Sequence, residues 1–435
     1  MSFARRSIGT FFALAISSIA TLIWGVIVAR TLGPTGIGIL AITTLYPIFF
    51  FTIGHLTLGI GTIHYIGQKK YSVENFAANS MLAALSIGAL LYLIFVATLP
   101  LFQNTLYKGV DPKYLFLAFT VVPLNLIVYF LSSVLQGNNY IREYNIVNLS
   151  RPCFAVFSLV ILVLACSTGI MGAVAAFTLG FLFAAAASIY YVSKQTSGKW
   201  KVNFNLLRTT LKSSGKMHIG SVATFIYGQV GLMIANYYLV SAQVGYFALA
   251  LTIAQFLFLI PQAAQVVLYP ETAMATEEEA ATSSARVCRH AIFWVMLAAL
   301  AFGFLSKYII WLFAGEEFFP SIAPLIVLLP GVVLSTVAQV LSPLWVRKGW
   351  FWYMGGSGTA LAVISILLNW VLIPKYGIMG AAIANSLTYF IGFLITIGMY
   401  FCFVNKRFWH LLIPQAEDAN LYKRMFQGVR VRLGI

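Results

Sequence analysis

The chain has 435 residues, 60% of them hydrophobic and only 9% charged, and its mean hydropathy is +0.90. Soluble domains carry about 25% charged residues, so this composition cannot cover a water-facing surface and requires a membrane. The net charge of +16 would suggest nucleic acid in a soluble protein; in a membrane chain it reflects Lys and Arg kept in cytoplasmic loops, and no nucleic-acid partner is expected.

Apolar runs of about 20 residues, enough to cross roughly 30 Å of hydrocarbon, are predicted at 8–29, 37–63, 76–101, 114–136, 149–167, 170–193, 219–240, 244–269, 291–314, 321–346, 355–373 and 378–404. The first follows Arg5-Arg6 and exceeds the roughly 7–15 apolar residues of a cleavable signal, so it reads as a retained helix. The turn after it opens with Arg30, and the second run holds His55.

In the fourth run Asn125, Tyr129, Ser132 and Gln136 recur at helical spacing and form one polar face in an apolar helix. Such a face is expected to turn inward, either to bond sugar hydroxyls or to pack polar groups between helices. Arg151 lies near the start of the fifth run. A linker from 194 to 218 carries six cations and no acid, and Phe204, Leu207 and Leu211 share one helical face; an interfacial helix on the inner leaflet is expected there.

Gln229 and Asn236 in the seventh run, and Gln255 and Gln262 in the eighth, repeat the polar theme. Glu277-Glu278-Glu279 reads as a solvated helix start, and Lys307 lies toward the outer end of the ninth run. The tenth run carries Ser335, Gln339 and Ser342 on one face. Pro47, Pro123, Pro261, Pro330 and Pro343 are expected to bend their helices. Trp311, Trp345, Trp350 and Trp352 fit an interfacial belt. The tail, 405–435, is basic with an apolar stripe.

The chain also repeats itself. Gly38-Ile39-Leu40-Ala41 is echoed by Gly245-Tyr246-Phe247-Ala248, 207 residues later, and Pro123 by Pro330 at the same separation. Gly169-Ile170-Met171-Gly172-Ala173 recurs letter for letter as Gly377-Ile378-Met379-Gly380-Ala381, 208 residues on. With the N-terminus inside, 22 of the 27 Lys and Arg fall on the cytoplasmic side and 5 on the outer side, so both termini are expected to be cytoplasmic. Six runs per half make the repeats parallel. The expected fold is an all-α integral membrane protein, with about twelve transmembrane helices in two parallel six-helix repeats around a central cavity. Its parts are an N-terminal lobe (1–193), the linker (194–218), a C-terminal lobe (219–404) and the tail (405–435).

Ionisable groups inside a membrane are costly and point to function. The polar outliers here are Arg30, His55, Arg151 and Lys307, with His64 and His218 less central, and the runs hold no clear mid-membrane carboxylate. Cations without anions favour an anionic substrate. The plainer alternatives are snorkelling of Arg30, Arg151 and Lys307 to headgroups, and a neutral His55 bonded to a backbone carbonyl. Cys153, Cys166, Cys288 and Cys402 lie in or beside apolar runs with no metal-site or disulfide spacing, and no motif of a hydrolase, zinc peptidase or nucleotide-binding loop is present. Neither catalysis nor a cofactor is expected.

Arg30-Thr31-Leu32-Gly33-Pro34, followed by Gly36, Gly38 and Ala41, resembles the opening signature of the polysaccharide-transporter branch of the multidrug/oligosaccharidyl-lipid/polysaccharide exporter superfamily. Span number, loop lengths, basic linker and two-lobe repeat agree with it. The resemblance implies a flippase that moves a polyprenyl-pyrophosphate-linked oligosaccharide from the inner to the outer leaflet of the bacterial cytoplasmic membrane. Its implied partners are that substrate and membrane lipids, with polymerase and chain-length proteins of a polysaccharide pathway as further candidates. The chain departs from the family at Gln229, where many relatives have an acid in the seventh span, and at Ile37, where an aromatic is frequent. The first departure leaves the coupling ion open. Candidate substrate-binding residues are Arg30, His55, Asn125, Tyr129, Ser132, Gln136, Arg151, Gln229, Gln255, Lys307 and Gln339. The alternatives are a multidrug-type small-molecule or cation antiporter, which would need a buried carboxylate, and a membrane polymerase or ligase, which would need long outward loops.

Overall fold

A computed structural model describes residues 3–68, 71–404 and 411. Among them no strand occurs. The helices are α1 (Phe3–Gly54), α2 (Leu58–Gly67), α3 (Val73–Phe102), α4 (Pro112–Phe119), α5 (Val121–Gly137), α6 (Ile141–Leu159), α7 (Gly169–Gln195), α8 (Phe204–Tyr238), α9 (Ser241–Gln255), α10 (Leu259–Met274), α11 (Glu277–Phe304), α12 (Ser306–Ala314), α13 (Ile322–Arg347) and α14 (Phe351–Val404). The basic tail, apart from Leu411, lies outside the described residues.

Among the described residues ten helical stretches are long and apolar enough to cross a membrane, and two of these, Phe12–Gly54 and Trp352–Cys402, have 43 and 51 residues. A single crossing needs about 20. Each long stretch is broken by a glycine at positive φ, Gly33 (64°) and Gly377 (58°), and so holds two crossings. Proline follows Gly33 directly, which disfavours helical geometry at the residue before it; glycine alone enters the mirror-image region without penalty. The twelve apolar runs are therefore all present.

Several boundaries move. The second span is discontinuous, stopping at Gly54 and resuming at Leu58. The fifth starts at Ile141, eight residues before the apolar run. The ninth ends at Phe304, which puts Lys307 on the separate helix α12. The linker holds no separate helix lying along the inner leaflet, because α8 runs unbroken for 35 residues from Phe204 through the seventh span. Nor do the prolines mark the breaks: α1 continues past Pro47 and α13 past Pro330 and Pro343. In the eighth span a single 3₁₀ turn, Phe256–Phe258, separates α9 from α10 and precedes Pro261. Trp345 is buried and stacks on Trp350 with ring centroids 5.6 Å apart, so it is no interfacial anchor; Trp311 and Trp352 are exposed.

The chain folds as two compact units, one of Met1–Ala248 with Ile310–Phe319, the other of Leu249–Ile309 with Pro320–Ile435. In the first, a core of Val28, Leu40, Leu159, Val163, Ala173 and Val174 joins α1, α6 and α7. Small residues let backbones approach: Gly180 lies against Ala155, and Gly88 against Pro123. Asn79 clamps the linker, donating to the Asn203 carbonyl and accepting from the Asn203 amide, both at 2.9 Å. Asn75 and Glu74 bond the Lys201 carbonyl and the Ser197 amide. In the second unit Leu268, Cys288, Val337, Leu341, Leu344 and Tyr400 form the core, and Gly331 packs on Ser386.

The repeat is visible in local geometry. Gly169 and Gly377, the first letters of the duplicated pentapeptide, both take positive φ, 60° and 58°. Ser72 and Thr276 cap the third and ninth spans in the same way, each accepting the amide three residues on. Glu279 completes a capping box with Thr276, so the acidic run is a helix start as expected. After α5 the amides of Asn138, Asn139 and Tyr140 bond the carbonyls of Val134, Gln136 and Leu135; after α13 those of Lys348, Gly349 and Trp350 bond Leu344, Val346 and Trp345 in the same pattern. Finally, a Cβ on Gly38 would strike the Ser241 carbonyl, and one on Gly245 would strike the Pro34 carbonyl. Pro34 and Ser241 are themselves 207 residues apart, so the contact is self-complementary, as a two-fold relation demands.

Candidate functional site

The break in the second span gathers the densest set of polar groups from the expected residues. Leu56 and Thr57 both lie in the left-handed region, at φ 46° and 55°. For a β-branched residue this is a genuine outlier, and two in succession store strain of about 1–3 kcal/mol each. His55 holds the turn. It is 8% exposed, and its Nδ1 accepts the Thr57 amide at 2.9 Å. An accepting Nδ1 carries no proton, which places the ring proton on Nε2, 3.4 Å from Ser221 Oγ. The ring thus meets a backbone amide at Nδ1 where a carbonyl partner was expected. Tyr129 from α5 stacks obliquely on it at 5.2 Å, and His218 from α8 meets it edge-on at 5.4 Å. His218 Nδ1 also reaches Thr57 Oγ1, at 3.4 Å. Gly59 packs beneath Tyr129, where a Cβ would lie 2.8 Å from the ring.

On α5 the polar face is graded. Asn125 and Tyr129 are half-buried, Ser132 is buried with no hydrogen-bond partner for its hydroxyl among the described residues, and Gln136 is exposed at the end. The structure brings His55 and Tyr129 together.

Arg151 is exposed on α6, ten residues from the helix start, or about 15 Å along it at 1.5 Å per residue. Its guanidinium lies over the Phe181 ring, 5.2 Å from the centroid, a contact of about 0.5–1 kcal/mol at an exposed site. The polar first turns of α6, with Arg142, Glu143, Asn145 and Asn148, precede Arg151. Arg30 behaves differently. Its Nη2 donates to the carbonyls of Leu312, at 2.8 Å, and Trp311, at 3.3 Å. It thus neutralises the negative end of α12.

Gln229 is half-buried on α8. Asn236, one heptad on, is buried and donates to the Leu106 carbonyl, a packing role. In the second unit Gln255 sits half-buried just before the 3₁₀ turn, and Lys307 is exposed on α12. The carbonyl of Gln339 accepts from Gln265 Nε2 at 2.6 Å, and Ser342 Oγ lies near both Gln265 and Tyr269. Gln265 was not among the expected residues, and Gln262, which was noted, is exposed. Among the described residues no group of three or more His, Cys, Asp or Glu forms a metal site.

A family model described as polysaccharide biosynthesis protein matches residues 4–275. Among solved structures the chain is similar to the lipid II flippase MurJ in an inward closed conformation, with TM-score 0.72 and 16% identity over 93% of this chain and 88% of that one. It is also similar to an inward-facing multidrug-resistance MATE transporter of the MOP superfamily, with TM-score 0.69 and 16% identity over 91% and 99%. A MOP superfamily transporter from Pyrococcus furiosus matches at TM-score 0.58 and 16% identity over 93% and 96%. No curated protein matches the chain. At such identities the likeness establishes the fold of these transporters.

Proposed function

The chain belongs to the polysaccharide biosynthesis protein family, and from that membership we propose that it is a flippase carrying a polyprenyl-pyrophosphate-linked oligosaccharide from the inner to the outer leaflet of a bacterial cytoplasmic membrane. It is a multi-pass membrane protein with a transporter fold. The observation that carries the substrate class is Arg151. A cation ten residues into a largely apolar span is costly against hydrocarbon and stable where it meets water and an anion. A pyrophosphate supplies that anion through charge-assisted hydrogen bonds.

Asn125, Tyr129 and Gln136 on α5, Gln229 on α8, and Gln255, Gln339 and Lys307 in the second unit would serve the sugars and phosphates as hydrogen-bond donors and acceptors. Movement follows alternating access between the two six-span repeats, with both termini cytoplasmic, as the distribution of Lys and Arg favours. Polymerase and chain-length proteins of the same pathway are the natural recipients of the product.

The test measures outer-leaflet exposure of lipid-linked oligosaccharide in cells lacking the protein and in cells supplied with the wild type. Restored exposure supports the flippase. The fold likeness to MATE transporters favours one second reading, a small-molecule exporter. That reading would be chosen by export of a cationic dye with no change in lipid-linked sugar.

A further inference from the structure

We propose that His55 is a proton-binding site that governs a hinge in the second span: the neutral ring holds the left-handed turn at Leu56 and Thr57 closed, and a proton at Nδ1 releases it. Two histidines grip one residue from two directions. His55 Nδ1 accepts the Thr57 amide at 2.9 Å, while His218 Nδ1 lies 3.4 Å from Thr57 Oγ1. Neither Leu56 nor Thr57 has a side chain suited to positive φ, so the conformation persists only because these contacts impose it.

Nδ1 cannot accept a hydrogen bond and carry a proton at once. Protonation turns it into a donor facing another donor, and the Thr57 amide loses its partner. The groups that face His55 are Phe51 on its own helix, Tyr129 from α5, and His218 and Ser221 from α8. The neighbouring imidazole lets one ring of the pair, and not both, bear charge readily. What the hinge would move is α2, residues Leu58–Gly67, which packs on the linker end of α8: a Cβ on Gly61 would strike Ser214 Oγ and lie 2.9 Å from Thr210. A histidine titrates in the physiological range when small changes bias it, so the device reads proton supply and answers with a change in backbone shape. The inference goes beyond the transport reading and does not rest on it, because no substrate enters its test.

The experiment is amide hydrogen exchange on the purified full-length protein in lipid nanodiscs, from about pH 8 to about pH 5.5, with rates corrected for their intrinsic pH dependence. In the wild type, protection of the amides of residues 57–60 is expected to fall about tenfold on acidification, an energy of about 1.4 kcal/mol. His55→Asn offers an oxygen where Nδ1 stood and takes up no proton, so it should stay protected at every pH. His55→Phe should be unprotected at every pH, and it supplies the same comparison if the Asn variant does not reach the membrane. His218→Asn should keep the response. A wild type without pH dependence, a response that survives in either His55 variant, or one abolished in His218→Asn overturns the proposal.

Discussion

Gly38 and Gly245, equivalent positions of an internal repeat, touch each other across a self-complementary contact. The Cβ that Gly38 lacks would fall on the Ser241 carbonyl and 3.0 Å from the Gly245 amide nitrogen; the one that Gly245 lacks would fall on the Pro34 carbonyl and 3.1 Å from the Gly38 nitrogen. The obstructing atoms are backbone on both sides, so neither alanine fits unless a helix shifts. Forced overpacking of this kind costs about 1–3 kcal/mol. On the proposed orientation the contact closes the outer ends of the second and eighth spans. Gly38→Ala and Gly245→Ala should each lower oligosaccharide exposure by about fivefold or more at normal membrane abundance, and by similar amounts because the geometry is reciprocal. Gly228→Ala, at a glycine with nothing within 4 Å of its would-be Cβ, is the control and should match the wild type.

Arg151 and Arg30 separate a transport role from a structural one. Arg151 lies over the Phe181 ring face, whereas Arg30 donates two hydrogen bonds to the end of α12. Arg151→Ala should abolish most oligosaccharide exposure with little change in thermal stability, and Arg151→Lys should retain part of it, since a lysine keeps charge and loses the planar fork. Arg30→Ala should lower stability by about 0.3–1 kcal/mol, the usual value of a cation at a helix C-terminus. Thermal unfolding in detergent read beside transport in cells would contradict this division if the two variants behaved alike.

These assignments also show which features the amino-acid order reveals. The twelve crossings are legible because lipid tolerates little but apolar helix, and the duplicated Gly169 and Gly377 are legible because a left-handed turn calls for glycine. The start of α6 was missed because it opens with Arg142, Glu143, Asn145 and Asn148, which hide its first turns from any hydropathy window. The break at His55 has no such mark in its own letters: Leu56 and Thr57 favour extended or right-handed helical backbone, and the turn is held by His55 Nδ1 together with contacts from α5 and α8. The 3₁₀ turn at Phe256–Phe258 shifts the helical phase, so regular spacing from Gln255 cannot indicate that Gln265, rather than Gln262, meets α13.

The linker clamp gives a prediction that needs no substrate. Asn79 makes a two-way bond with the Asn203 backbone beside Lys199 and Lys201. Asn79→Leu removes both bonds and leaves the half-buried Asn203 amide without its partner, while the carbonyl keeps the Leu207 amide at 3.0 Å, at a cost of about 1–3 kcal/mol. Trypsin should then cut at Lys199 or Lys201 at least several times faster than in the wild type, because cleavage follows local opening. Unchanged digestion kinetics in Asn79→Leu would mean that the clamp does not restrain this segment.

Gln265 tests how the second unit joins α10 to α13. Its Nε2 donates to the Gln339 carbonyl at 2.6 Å and lies 3.4 Å from Ser342 Oγ, while Gln262, one turn earlier, is exposed. A carbonyl in the interior of a helix already accepts its own ladder bond, so the glutamine bond is an added cross-link and its loss leaves that oxygen satisfied. Gln265→Leu should therefore cost only the net value of a hydrogen bond, about 0.5–1.5 kcal/mol, and Gln262→Leu close to nothing. Ser342→Ala in the Gln265→Leu background separates the contributions: if Gln265 bonds chiefly to the carbonyl, the two losses add, and if it works through Ser342, the second change costs nothing further. Thermal unfolding of the wild type, Gln265→Leu, Gln262→Leu, Ser342→Ala and the double variant in one detergent decides between them.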